Sequence, residues 1–143
     1  KQYEETERYN LTTIDNAPAV TGLIFFRPTR GMISSEFDAA KKHYGIDIAA
    51  SPNESVLATL DGTVMLATYT ADTGYVIQVQ HGQNLVSIYK HCGSLLKKVG
   101  DTVKAGEAIA LVGNTGEKTT GPHLHFEIWN RGRALDPSKY IVF

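Results

Sequence analysis

The sequence predicts a mainly β protein: an antiparallel β-sandwich or partly open barrel of short strands, with few short helices. Apolar and polar residues alternate with a period of two in several runs, which is the pattern of a strand with one buried face. Glycine-containing turn signals separate these runs at short intervals, as in antiparallel sandwiches and barrels. The chain shows no heptad pattern, no tandem repeat and no phosphate-binding loop of the Walker type.

Length and composition limit the classes to which this chain can belong. Its 143 residues are enough for one domain with a sizeable hydrophobic core. The formal net charge of -1 gives no basis for electrostatic capture of nucleic acid, and the apolar runs are too short to span a bilayer. Cys92 is the only cysteine, so an internal disulfide is excluded. The chain starts at Lys1, and we expect that a signal or anchor has been removed or is absent from this segment.

The chain is expected to divide into an N-terminal extension and one domain. Residues 1–21 are polar with little periodicity, which favours an extension or linker that is frayed or packed on the domain. Residues 22–143 form the predicted domain, which begins with the apolar run at residues 22–26. Residues 34–42 fit either a short capped helix or a loop that leads to the next strand.

The remaining elements are predicted from turn signals and alternation. Asp61-Gly62 lies between two apolar runs and predicts a type I′ hairpin that joins residues 56–60 to residues 63–70. Alternation predicts further strands at residues 74–81, 84–91, 108–112 and 123–129. A polar segment bounded by glycines, residues 113–122, precedes the last of these strands, and residues 136–140 are expected to form a terminal helical turn.

The last predicted strand carries two histidines on one face. Side chains two residues apart in a strand share a face, so His123 and His125 point the same way. Leu124, Phe126 and Ile128 point the other way, towards a core. Two imidazoles side by side on one face contribute little to a structural surface, but they can supply two of the ligands of a metal site.

A second stretch upstream supplies the other half of the predicted metal site. His43, Gly45 and Asp47 share one face, while Tyr44, Ile46 and Ile48 share the other. Gly45 leaves open space between the imidazole and the carboxylate, so an ion can approach both groups. Imidazole nitrogen and carboxylate oxygen are good zinc ligands, and three protein ligands with an open position are typical of catalytic zinc. Each histidine taken alone fits a surface or core residue equally well.

Several motifs together resemble the lysostaphin/LytM family of zinc endopeptidases. The matching features are His43-x-Gly45-x-Asp47, Tyr89-x-His91 at a strand end, and the run from Gly121 to Glu127. Spacer segments agree as well: Asp61-Gly62-Thr63-Val64, His81-Gly82, and Gly106 to Thr115. The resemblance extends from about Gly31 to the C-terminus and implies the duplicated hybrid motif form of the β fold.

The resemblance also implies an activity and a set of site residues. It implies that His43, Asp47 and His125 hold one zinc ion, and that His91 and His123 are the catalytic pair, without deciding which of them is the base. The substrates implied are peptide cross-links or stem peptides of bacterial peptidoglycan. The same resemblance implies that the protein is a monomer and that it is located outside the cytoplasm, in the periplasm or at the cell surface.

Other residues near these motifs carry weaker expectations. Tyr89 is expected on the face of His91, where it would line the cleft. Glu127 is expected as an orienting partner of an imidazole or as a solvated charge, and Asn114 in a loop beside the cleft. The cleft itself is expected between loops near Ser34 and Asn114. Cys92 follows His91 and could in principle be a nucleophile, but a buried small side chain is the more frequent state.

Two other functions compete with hydrolysis. Some relatives with this fold lack metal ligands and activate other wall hydrolases, so a non-catalytic or latent wall-binding regulator is the first alternative. The stretch from Val99 to Glu107 resembles hairpins of biotinyl and sugar-phosphotransferase domains, which makes a carrier or phosphotransfer domain the second alternative. A carrier needs no equivalent of Asp47, so the ligand set favours the peptidase. The departures from the family pattern at Phe37-Asp38, Ser51 and Cys92 affect the expected substrate preference more than the chemistry.

Overall fold

Ten antiparallel strands and two short 3-10 helices make up the computed structural model, in which residues 22–116 and 121–143 are described. The strands are β1 (Met32–Ser35), β2 (Ile46–Ala49), β3 (Ser55–Leu57), β4 (Gly62–Thr70), β5 (Gly74–Gln80), β6 (Leu85–Leu95), β7 (Thr102–Val103), β8 (Ala108–Val112), β9 (His123–Asn130) and β10 (Arg133–Leu135). The 3-10 helices are Ala39–Lys41 and Pro137–Lys139. The predicted mainly β, antiparallel fold class is therefore confirmed. The expected extension at residues 1–21 lies outside the described residues.

The strands form one hydrogen-bonded network with a branch. The main path runs β1-β2-β9-β6-β5-β4-β7, with β10 attached to β9. β8 pairs with both β6 and β3 and so forms the branch. No helix within the described ranges is long and apolar enough to cross a membrane.

The core lies on one face of the central strands. In β2 and β9 the side chains that point to this face are at most 1% exposed: Ile46, Ile48, Leu124, Phe126 and Ile128. Burying side chains of this size stabilises the fold by about 1.5–3 kcal/mol each before entropy is counted. The alternation predicted for β9 is therefore confirmed, and it directs the intervening histidines away from the core. Tyr44 differs from the prediction, because it precedes β2 and is 38% exposed, with its ring beside Trp129.

The hairpin predicted at Asp61-Gly62 is wrong. β3 pairs with β8, whereas β4 pairs with β5 and β7. A type I′ turn needs positive φ at both central residues, and neither Asp61 nor Gly62 has it. Instead the Asp61 carboxylate accepts a hydrogen bond of 2.7 Å from the backbone N–H of Ala105 and so ties two turns together.

The other predicted elements agree with the structure to within a few residues. Strands at residues 74–81, 108–112 and 123–129 correspond to β5, β8 and β9. The terminal helical turn is the second 3-10 helix, where Asp136 accepts a hydrogen bond from the backbone N–H of Ser138. Residues 34–42, left open between helix and loop, contain the end of β1 and the first 3-10 helix. Ser34 thus lies in a strand rather than in the expected loop.

The predicted strand at residues 84–91 continues to Leu95 as β6, with a bend at His91. His91 has a φ of 65°, a left-handed conformation that is unusual inside a strand. Before the bend β6 pairs with β5 and β9, and after it β6 pairs with β8, while Cys92 also lies opposite Tyr75 of β5. The two backbones approach closely just beyond the bend, where a Cβ added to Gly113 would lie 2.3 Å from Cα of Gly93. Glycines at both positions permit this contact.

Candidate metal centre

The pairing of β2 with β9 brings the two predicted halves of the site together. Asp47 lies opposite His125, and Ala49 lies opposite His123. Because the apolar residues of both strands point into the core, the acid and the imidazoles share the outer face of the sheet. The Nδ1 atom of His125 lies 2.7 Å from Oδ1 of Asp47. Nε2 of His123 lies 4.0 Å from the same oxygen.

His43 enters the site from the segment before β2. Its backbone forms a bridge with Asp38, and its side chain is held by the carbonyl of Glu36, 2.7 Å from Nδ1. A carbonyl oxygen can only accept, so Nδ1 carries the proton and Nε2 presents a lone pair. That Nε2 atom lies 3.3 Å from Oδ2 of Asp47.

His125 lies between two carboxylates. Nδ1 faces Asp47 at 2.7 Å, and Nε2 faces Oε2 of Glu127, also at 2.7 Å. Burial alone would lower the pKa of His125, but its hydrogen bonds to Asp47 and Glu127 raise it above the ordinary value. Burial would likewise raise the pKa of Asp47, but the hydrogen bond from His125 and the nearby imidazoles lower it. A neutral His125 that donates from Nε2 to Glu127 leaves its Nδ1 lone pair directed at an anionic oxygen.

Three groups that can each offer a lone pair to a cation therefore converge here, His125 doing so when it is neutral and donates to Glu127. One ligand atom each from His43, Asp47 and His125 lies within 4.8 Å of the others. Two imidazole nitrogens and a carboxylate oxygen at this spacing fit a tetrahedral zinc ion with one position left for another ligand. The donor set and its geometry thus fit the divalent cation that the motifs predict.

His91 and His123 form a second pair of imidazoles beside these ligands. Their ring centroids are 5.2 Å apart, and the ring of His91 is 6.3 Å from that of His125. Nδ1 of His91 lies 2.8 Å from the carbonyl of Thr115, and Nδ1 of His123 lies 2.8 Å from the carbonyl of Gly121. Both rings therefore carry a proton on Nδ1, which leaves each Nε2 free to accept a proton. Burial lowers the pKa of His91, although the hydrogen bond to Thr115 opposes this effect.

Glu127 is buried and hydrogen bonded to three side chains. In addition to His125, it accepts a hydrogen bond of 2.8 Å from Nε1 of Trp129 and one of 3.2 Å from Nζ of Lys90. Burial would raise the pKa of Glu127, but the hydrogen bonds from His125 and Trp129 and the charge of Lys90 lower it to about 2. Glu127 is thus an ionised carboxylate within the site, and the alternative of a solvated surface charge does not hold.

Gly45 provides the space in which this arrangement forms. A Cβ added at this position would lie 2.4 Å from the carbonyl oxygen of Phe126, 2.7 Å from Cγ of Glu127 and 3.0 Å from Nε2 of His125. Any side chain would therefore displace either the β9 backbone or the contact between His125 and Glu127. The expectation that Gly45 leaves open space for an ion is therefore wrong, because Phe126, Glu127 and His125 fill the space beside it.

Three other residues singled out in the sequence are not part of the proposed ligand set. Tyr89 is fully buried, and its hydroxyl contacts Ser87 and the backbone N–H of Thr59. The expectation that it shares the face of His91 does not match the structure, because positive φ at His91 interrupts the alternation of β6. Asn114 is exposed in the loop after β8. Cys92 is buried, and burial raises the pKa of its thiol to about 12, which is incompatible with a thiolate nucleophile at neutral pH.

Three residues that contact the site were not identified from the sequence. Lys90 lies opposite His125 in the pairing of β6 with β9 and reaches Glu127. Trp129 follows Glu127 by two residues on β9 and donates to it from Nε1. The backbone carbonyl of Thr115 holds His91, and a sequence pattern gives no sign of such a backbone contact. For Lys90 and Trp129, the period-two alternation on β6 and β9 was the available signal.

Comparison with known proteins gives a family match over most of the chain. The family model of peptidase family M23 matches residues 41–137, a range that includes all five site residues. A metalloprotease of Haemophilus influenzae is 44% identical over 98 residues, 68% of this chain. The murein hydrolase activator NlpD of Escherichia coli is 38% identical over 80% of this chain, and the peptidoglycan DD-endopeptidase ShyA of Vibrio cholerae is 35% identical over 75% of it. This chain spans 20%, 30% and 27% of the lengths of these three relatives.

Solved structures with the same fold come from several bacteria. A crystal structure of an M23 peptidase of Pseudomonas aeruginosa superposes with a TM-score of 0.77 at 30% identity, over 85% of this chain and 51% of that one. A zinc-containing peptidase of Vibrio cholerae gives a TM-score of 0.75 at 33% identity, over 80% of this chain and 39% of that one. Lysostaphin of Staphylococcus simulans gives 0.65 at 29% identity, over 78% and 48% of the two chains.

Proposed function

This chain belongs to peptidase family M23, and we propose that it is a zinc-dependent endopeptidase that cleaves peptide cross-links or stem peptides of bacterial peptidoglycan. The observation that carries the proposal is the convergence of His43, Asp47 and His125 beside a second imidazole pair. A binding module has no need for proton acceptors next to a metal-ligand set. The complete set of five groups therefore favours hydrolysis.

The proposed ligands are Nε2 of His43, a carboxylate oxygen of Asp47 and Nδ1 of His125. A zinc ion bound there supplies Lewis-acid activation of water and of the scissile carbonyl. Glu127 accepts the remaining N–H of His125 and so fixes both the tautomer and the orientation of that ligand. Because Glu127 is ionised, it also makes the imidazole a stronger donor to a cation.

His91 and His123 are proposed to move protons and to stabilise charge. Each keeps its Nδ1 proton on a backbone carbonyl, so each can act as a base only through Nε2. A ring that accepts a proton at Nε2 becomes an imidazolium, which can then donate to the leaving amine. An imidazolium at the same position can also donate to the oxygen that becomes negative in the transition state, an effect of about 3–4 kcal/mol in comparable sites.

The relatives support the proposed substrate and location. ShyA is a peptidoglycan DD-endopeptidase, and NlpD is a murein hydrolase activator, so both of these similar proteins are connected with peptidoglycan hydrolysis. We infer that this chain also works outside the cytoplasm, as a monomer that binds peptidoglycan peptides. The exposed loop that contains Asn114 is proposed to border the peptide-binding cleft.

The test is digestion of purified cell-wall sacculi by the full chain, followed by chromatography of the released fragments. Zinc content is measured by elemental analysis on the same sample. We expect about one zinc per chain and release of peptide-cleaved fragments, with both lost in His125→Ala. Stoichiometric zinc without any cleavage of sacculi from bacteria of several wall types would contradict the proposal.

A second candidate function is activation of a separate murein hydrolase, which the similarity to NlpD favours. Activation by contact with a partner does not require the metal ligands. The two functions are separated by mixing the chain with a murein hydrolase and sacculi. If the chain is an activator, the wild type and His125→Ala should stimulate the second enzyme to the same extent. If it is the proposed peptidase, it should cleave sacculi without a second enzyme, and His125→Ala should be inactive.

A further inference from the structure

The backbone at His91 is held in an unfavourable conformation. A non-glycine residue at a φ of 65° within a strand costs on the order of 1–3 kcal/mol and persists only where the surroundings impose it. One restraint is the hydrogen bond of 2.8 Å from the N–H of His91 to the carbonyl of Thr73. The bend turns the imidazole of His91 out of the core and towards His123, so whatever imposes the bend also positions the imidazole.

The side chain of Thr115 joins β5 and β6 next to this bend. Its hydroxyl donates a hydrogen bond of 2.6 Å to the carbonyl of Cys92, the residue after His91. The same hydroxyl oxygen accepts a hydrogen bond of 3.1 Å from the N–H of Tyr75, near the start of β5. Both hydrogen-bonding roles of the hydroxyl are used, so the position of Thr115 is fixed relative to β5 and β6.

The backbone of Thr115 acts on the imidazole directly. Its carbonyl lies 2.8 Å from Nδ1 of His91 and accepts the proton there. A carbonyl that moved away would free Nδ1 and allow the other tautomer, in which Nε2 carries the proton and can no longer accept one. The hydroxyl of Thr115 fixes the position of the residue, and the carbonyl of the same residue selects the tautomer of His91.

We propose that Thr115 is a positioning residue, whose hydroxyl locks the β5–β6 junction so that its carbonyl holds His91 as the Nδ1–H tautomer with Nε2 towards His123. The proposal rests on the proposed function only in giving His91 a role in proton transfer. The positioning itself is independent of any substrate. Thr115 does not touch the metal ligands and is not itself a catalytic residue.

The experiment compares Thr115→Val with Thr115→Ser in the full, zinc-loaded chain. Valine has nearly the shape of threonine without the hydroxyl, and serine restores the hydroxyl. Two-bond 1H–15N correlation spectra of the histidine rings report each tautomer, and His91→Gln identifies the signals of His91. We expect Nδ1–H for His91 in the wild type and in Thr115→Ser, and a mixture of tautomers in Thr115→Val. On a soluble cross-linked peptide, kcat of Thr115→Val should fall about tenfold or more with KM nearly unchanged.

Several results would overturn this proposal. An Nε2–H tautomer of His91 in the wild type would contradict it. This result needs no variant, so the proposal can be refuted even if Thr115→Val does not fold. An unchanged His91 spectrum in a folded Thr115→Val also contradicts it, as do equal effects of valine and serine. If the His91 spectra behave as expected but no variant or wild type cleaves peptide, the positioning role stands and the proposed peptidase activity fails.

Discussion

Asp47 and His125 lie directly opposite each other on neighbouring strands, with Nδ1 of the imidazole 2.7 Å from a carboxylate oxygen. The other ring nitrogen of His125 faces Glu127 at the same distance. A single imidazole therefore connects the proposed metal position to a buried carboxylate on its far side. The affinity of the proposed site for a metal ion thus depends on residues other than the three ligands.

Replacing Glu127 with glutamine should weaken zinc binding. The amide can still accept a hydrogen bond from His125, but it lacks the negative charge that makes the imidazole a stronger ligand. Loss of such a partner typically costs about 10–100-fold in metal affinity. A competition titration with a chromogenic zinc chelator measures the effect. Glu107→Gln is the matched control, since that carboxylate pairs with Lys97 on the turn before β8. Equal affinities of Glu127→Gln and Glu107→Gln would show that Glu127 does not support the ligand.

Alanine at position 45 should disturb the site, whereas alanine at position 82 should not. The new Cβ at position 45 would lie 3.0 Å from Nε2 of His125 and 2.7 Å from Cγ of Glu127. At Gly82 no atom lies within 4 Å of such a Cβ. We expect Gly45→Ala to lower both the thermal midpoint and the zinc affinity, with a destabilisation of about 1–3 kcal/mol. Thermal unfolding with and without zinc gives both quantities, and indistinguishable curves for the two variants would refute the steric argument.

Substitution of His91 or His123 should separate binding from hydrolysis. Neither imidazole belongs to the proposed ligand set, so His91→Gln and His123→Gln should retain zinc affinity within about threefold. Loss of a proton acceptor or donor is expected to reduce kcat by about 10²–10⁴-fold. Zinc content and peptide hydrolysis are measured on the same preparations. A variant that loses its zinc along with its activity would instead identify that histidine as a ligand.

His81, which is not one of the proposed metal ligands, should make the stability of the protein depend on pH. It is buried, with Nδ1 2.7 Å from the carbonyl of Asp61 and Nε2 2.7 Å from the hydroxyl of Ser87. Burial lowers its pKa below the ordinary value of about 6.5, although Asp61 opposes the shift. The unfolded chain therefore gains the proton first as the pH falls, so the contribution of neutral His81 is complete above about pH 6.5 and decreases below it.

Comparison of the wild type with His81→Asn isolates this contribution. Urea unfolding of the metal-free proteins at several values between about pH 7.5 and pH 5.5 gives the free energy of unfolding. The wild type should lose more stability than His81→Asn as the pH falls through this range. Parallel pH profiles for the two proteins would mean that His81 is not buried in its neutral form.

The sequence predicts those parts of the site that follow from a regular strand period. On β9 the alternation separates His123 and His125 from Leu124 and Phe126, as the structure has them. The opposition of Asp47 and His125 follows once β2 and β9 are neighbours, but alternation alone does not specify which strands pair. The expectation that Asp47 and His125 lie close together came from the family resemblance, which implied that they share one ion, and the match to peptidase family M23 confirms the family.

Other features depend on long-range contacts that a local pattern does not contain. Tyr89 was expected in the cleft because regular alternation gives it the face of His91, and the positive φ of His91 breaks that rule. Asp61-Gly62 is a strong local hairpin signal, but β3 gains its partner from β8, about fifty residues later in the chain. The contact of Thr115 with His91 is made by a backbone carbonyl and depends on a loop whose position is set by β5.

The most direct measurement is anomalous X-ray scattering at the zinc absorption edge from crystals of the zinc-loaded chain. We expect one strong peak at about 2.0–2.3 Å from Nε2 of His43, a carboxylate oxygen of Asp47 and Nδ1 of His125. His91 and His123 should lie beside the peak without binding the ion. A peak at another group of residues, or no peak in crystals kept in a solution that contains zinc, would contradict the assignment of the metal centre.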